Sequence, residues 1–74
     1  MRYIDVKRYI KADIDMYSEG RFTLPELFNI INREITTETI MIPNTDIKIE
    51  YQEKLYKYAC QCAIKAIDKM QRMK

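Results

Sequence analysis

Side chains able to do covalent or acid–base chemistry are few in this chain. Its 74 residues include no histidine, one serine (Ser18), one glycine (Gly20) and two cysteines (Cys60 and Cys62). Without histidine the commonest general base is missing, and with it most serine- and cysteine-based nucleophile pairs. One glycine cannot build the backbone cradle of a Gly-rich phosphate loop. Cys60 and Cys62 fall in a stretch of helical pattern, where side chains two apart point about 200° away from each other, so they are badly placed to bond to one another. Two thiols without an imidazole also fall short of a four-ligand zinc site. The pair reads as small apolar side chains in a reducing compartment. What remains is Asp15 with Glu19, four apart on one helix face. Such a pair can hold a hydrated divalent cation that supports hydrolysis, but on an exposed helix it is ordinarily solvated surface. The inventory predicts a chain that is not an enzyme and uses no cofactor or metal.

Basic residues number 13 and acidic ones 11, a net charge of +2. That near-neutral total conceals segregation. Residues 54–74 hold six basic side chains and only Asp68 as an acid, residues 12–53 hold three basic and nine acidic, and residues 1–11 hold four basic and one acidic. A stripe of Lys54, Lys57, Lys65, Lys69 and Arg72, with Tyr58 beside it, has the residue types that track phosphates and stack a base. Lysine also makes up the polar face of any solvated helix, and nucleic-acid-binding domains are usually far more basic overall. Nucleic acid is therefore the second choice of partner.

These side chains must be positioned by helices. Residues 5–19 place Val6, Ile10, Ile14 and Tyr17 on one face at three- and four-residue steps, with Tyr3 on the same side, Asp5 as N-cap, Ile4 stapling onto Tyr9, and Gly20 as the stop. The second helix has the clearest start, with Thr23 and Glu26 at capping-box spacing and Pro25 in the first turn. Leu24, Leu27, Phe28, Ile30, Ile31 and Ile35 span an arc of about 160° and predict a helix that is mostly core. Ile40 and Ile42, then Ile47, Ile49 and Tyr51, alternate around Pro43-Asn44-Thr45-Asp46, a hairpin pattern. Running the last helix back to an Asp46 cap instead puts Lys48 on the apolar face and Ile47 on the polar one. The expected fold is thus mainly α: a single domain over residues 1–74, three helices with a short β-hairpin over about residues 39–50 before a long C-terminal helix, and an all-α chain as the alternative.

From Tyr51 to Met73 the last helix is apolar around an arc of roughly 240°, more than one side of a small core requires. Leu55, Ala59, Cys62, Ala66, Met70 and Met73 form one stripe, and Tyr56, Cys60, Ala63, Ile64 and Ile67 a second. A chain this short cannot cover both, so Tyr56, Tyr58, Cys60, Ala63, Ile64, Ile67 and Met70 are the predicted protein interface. Tyr9 and Met16, off the core stripe, are further contact candidates, since tyrosine is enriched in binding hot spots. The predicted function is a small non-enzymatic protein-binding module, an accessory regulator, inhibitor or assembly adaptor, that forms a homodimer through its C-terminal helix. The alternative is a nucleic-acid-binding regulator with a helix-turn-helix, Leu27–Ile31 then Thr36–Met41 with Thr36, Thr37 and Thr39 facing bases, or a winged variant with the hairpin as wing. Against it stand the missing turn glycine, the stop at Pro43 and the lack of cations there. The longest charge-free stretches are seven residues (Thr39–Thr45 and Tyr58–Ile64), far short of the roughly 20 that span a bilayer, and no signal-peptide pattern is present. A cytoplasmic location without membrane contact is expected.

Overall fold

The computed structural model describes residues 3–72, with side chains from Asp5 onward; the expectations for Tyr3, Ile4 and Met73 lie outside the described side chains. Three helices follow in order: α1 (Tyr3–Ser18), α2 (Leu24–Thr39) and α3 (Asp46–Arg72). No strand occurs among the described residues, so the predicted hairpin is corrected to the all-α alternative. At about 1.5 Å per residue, the 27 residues of α3 run nearly the full 45 Å length of the molecule. The 16-residue α1 and α2 lie along only part of it.

α1 breaks at Gly20, the one residue with positive φ among the described residues, 84°, where the missing Cβ removes the left-handed penalty. α2 starts on the predicted capping box. The Glu26 N–H donates to Thr23 Oγ1 at 3.4 Å, while the Thr23 N–H (3.1 Å) and hydroxyl (2.9 Å) donate to Glu26 Oε1. Those two donors hold the Glu26 carboxyl below its usual range. Asp5 falls inside the first turn of α1, not at its cap.

α1 packs most extensively on α3 and next on α2. The core is Val6, Ile10 and Ile14 from α1, Leu27, Ile31 and Ile35 from α2, and Leu55, Ala59 and Ala63 from α3. Tyr17, Phe22, Leu24, Tyr51, Tyr58, Cys62 and Ala66 pack around it. The α1 face is the one that periodicity predicted; in α2 Leu27, Ile31 and Ile35 bear out the predicted arc while Phe28 is half-exposed, and in α3 Leu55 and Ala59 come from the first predicted stripe and Ala63 from the second. Small Ala59 and Ala63 let α1 and α2 approach α3 closely.

The hairpin expectation rested on the cost of helical phase near residue 47, and the structure meets that cost. α3 begins at Asp46 with the Lys48 and Ile49 N–H groups of its first turn donating to Thr45 O, and Ile47 and Ile49 remain 74% and 54% exposed. Lys48, on the apolar side, lies half-buried and its Nζ donates to Asn44 Oδ1 at 3.1 Å. Thr39 closes α2 as the single buried polar side chain among the described residues. Its hydroxyl donates to Ile35 O at 2.7 Å and accepts from Gln52 Nε2 at 2.8 Å. A single continuous helix from Leu24 to Thr39 removes the helix-turn-helix, since both of its proposed helices lie largely within α2. Thr39 faces the core rather than bases, with Thr36 and Thr37 exposed.

Candidate functional site

Two faces of α3 differ in chemistry. On the side toward α2, Thr39 bonds Gln52 and the Tyr56 hydroxyl donates to Asn32 Oδ1. These pairs fix an antiparallel register, and continuing it along both helices brings Phe28 level with Cys60 and Ala63. The outer surface of this seam carries Phe28 (50% exposed), Tyr56 (39%) and Ile64 (66%), with exposed Cys60 between the last two. Ile49 continues the same face toward the helix start.

Of the seven residues predicted as an interface, the structure leaves Tyr56, Cys60 and Ile64 exposed on this stripe and Ile67 and Met70 half-buried. Ala63 is corrected: it is 4% exposed and belongs to the chain's own core. Tyr58 turns to the opposite side of α3, toward α1, where Lys7 Nζ stands 4.5 Å from its ring centroid. Phe28 was missed because its position inside the apolar arc of α2 could not reveal which edge of that arc α1 and α3 leave open. Tyr9 is half-exposed and Met16 half-buried on α1. A separate apolar group, Ile40, Met41 and Ile47, is exposed at the α2–α3 connection.

The side of α3 toward α1 is basic. One open groove of about 470 Å³ is lined by Lys7, Arg8, Lys11, Ala12, Asp15 and Tyr58. A second, of about 340 Å³, continues past Lys11 and Tyr58 to Lys65 and Lys69. The sequence-predicted cationic stripe is thereby divided. Lys65 and Lys69 join the α1 cations, Lys54 and Lys57 sit among Glu50 and Glu53, and Arg72 pairs with Asp68 at 2.6 Å. The metal-site candidate gains nothing: among the described residues no cluster of three potential ligands occurs.

The seam between α1 and α2 holds a pair of acids. Asp13 and Glu34 each have a buried carboxyl oxygen without a hydrogen-bond donor, which two ionised carboxylates cannot remedy. A proton held by Glu34 supplies the missing donor. Burial, the hydrogen bond with Asp13 and the charges of Asp13 and Glu38 together push the Glu34 carboxyl up to about 8.

No family model, curated protein or solved structure matches the chain. Among the described residues no helix is long and apolar enough to cross a membrane.

Proposed function

We propose that this chain is a non-enzymatic protein-binding module, an accessory regulator, inhibitor or assembly adaptor, that pairs with a second copy of itself through the outer stripe of α3. The observation that carries this reading is the row of exposed Phe28, Tyr56 and Ile64 along the α2–α3 seam. Large apolar side chains grouped on one face favour association, because burying them removes apolar area from water. Charge sets the direction of pairing. Asp46, Glu50 and Glu53 outnumber Lys48 and Lys54 in the first turns of α3, and Lys65, Lys69 and Arg72 outnumber Asp68 in the last ones. Two copies running antiparallel about a two-fold axis near Cys60 bring each acidic start to its partner's basic end, and the helix dipoles oppose favourably. A parallel pair sets like charges together. Lys65 and Lys69 lean toward α1, so the effect is a field across the helix rather than a set of ion pairs.

Sedimentation velocity over a dilution series tests the pairing. The expected result is a concentration-dependent monomer–dimer equilibrium that Ile64→Lys shifts to monomer with helicity unchanged. A chain that stays monomeric at hundreds of micromolar overturns the reading. Oxidative crosslinking tests the orientation, because an antiparallel crossing brings the two Cys60 thiols together. Cys62→Ala is expected to retain the crosslink and Cys60→Ala to lose it.

A further inference from the structure

The basic segments at the two ends of the sequence meet in space. α1 lies beside α3, with Lys7 over the Tyr58 ring, Lys11 shared by both grooves, and Lys65 and Lys69 lining the groove that Ser18 also borders. The sequence of lining residues shows that the two helices run parallel. Successive residues on each therefore advance together: Lys7 lies level with Tyr58, Lys65 and Lys69 lie further along beside Ile14 to Ser18, and the cations follow one another down the groove, Lys7 and Lys11 first and then Lys65 and Lys69. Each pair repeats at about 6 Å, four residues of helical rise, a spacing suited to neighbouring phosphates of an extended strand. Arg8 adds a fifth cation, and Asp15 is the one acid lining either groove.

We propose that the α1–α3 groove binds single-stranded nucleic acid, its backbone running past Lys7, Arg8 and Lys11 on α1 and then past Lys65 and Lys69 on α3. Two features favour a single strand over other polyanions. The half-buried Tyr58 ring lines the groove beside Lys7 and Lys11, and a ring among cations is the arrangement that stacks a base while its phosphates are neutralised. The Lys7 ammonium now over that ring yields its place to the base and turns to a phosphate. Packed helices stand only about 8–10 Å apart, so a furrow between them admits one backbone, whereas a duplex meets only its rims. The groove lies on the opposite side of α3 from Tyr56 and Ile64, so the inference stands independently of self-pairing.

Fluorescence anisotropy with a labelled oligothymidylate, and with a duplex of equal length, tests it. Binding of the single strand is expected to weaken about 50-fold between 50 and 200 mM salt if four phosphates are neutralised, with each lost contact flattening the logarithmic salt slope by about 0.7. Lys11→Glu and Lys65→Glu, both at exposed positions, are expected to flatten the slope and weaken binding while circular dichroism stays unchanged. Lys57→Glu, among Glu50 and Glu53, is expected to leave binding as it was. Absence of binding at 50 mM salt overturns the proposal. So does a preference for duplex, or an equal loss in Lys57→Glu.

Discussion

At the scale of single residues, Glu34 makes stability depend on pH in a direction opposite to most carboxylates. Its ordinary value is 4.5 and the folded value about 8, so between those limits the native chain keeps a proton that the unfolded chain releases. Stability from this group is complete below about pH 4.5 and is lost as pH rises toward 8. Thermal melts are expected to show a falling melting temperature across that window, and Glu34→Gln, whose amide gives Asp13 a permanent donor, to flatten it and melt higher at pH 8.5. Identical slopes for the two proteins would show that Glu34 titrates normally. Thr39 offers a second prediction. Thr39→Val leaves Gln52 without its acceptor in a half-buried site and is expected to cost about 1–3 kcal/mol, much of it regained in the double variant with Gln52→Leu, where no polar group is left unpaired. Denaturant unfolding of the single and the double variant measures both. Neither site was legible in the sequence. Asp13 looks like an ordinary polar position until α1 and α2 pack together, and Thr39 until α3 brings Gln52 against it.

At the scale of elements, the strongest sequence signals were those confined to a single helical turn. Thr23, Pro25 and Glu26 announce the start of α2 because all their partners lie within three residues. Thr23→Ala is expected to lower stability by about 1 kcal/mol, a drop of roughly 4–8 °C in melting temperature for a domain of this size. The apolar stripes of α1 and α3 were equally readable, since Val6, Ile10 and Ile14, and then Leu55 and Ala59, recur at helical spacing. The start of α3 was not. Alternation of Ile40, Ile42, Ile47 and Ile49 mimics two strands, and the argument against a helix assumed that isoleucines must be covered. A hairpin needs its own sheet partner to be stable, and the described residues contain none. One more turn of α3 satisfies the backbone at the cost of leaving Ile47 and Ile49 in water.

At the scale of the whole molecule, charge segregation along the sequence becomes segregation in space. Parallel packing of α1 and α3 fuses two basic segments into one face, while Glu26, Glu34 and Glu38 ride on α2. The net charge of +2 therefore understates what a partner meets locally. Raising salt is expected to weaken any anionic partner at the α1–α3 groove while strengthening or sparing apolar pairing through Tyr56 and Ile64. Sedimentation and anisotropy in the same salt series separate the two surfaces. The α1–α3 seam also has a consequence for how the chain acquires its structure. The first helix made finds its largest partner in the last, so during synthesis α1 must wait, pairing only with α2, until α3 has emerged. Removing residues 63–72 is accordingly expected to abolish far more helicity than those residues contain, because it strips α1 of much of the helix on which it packs most extensively.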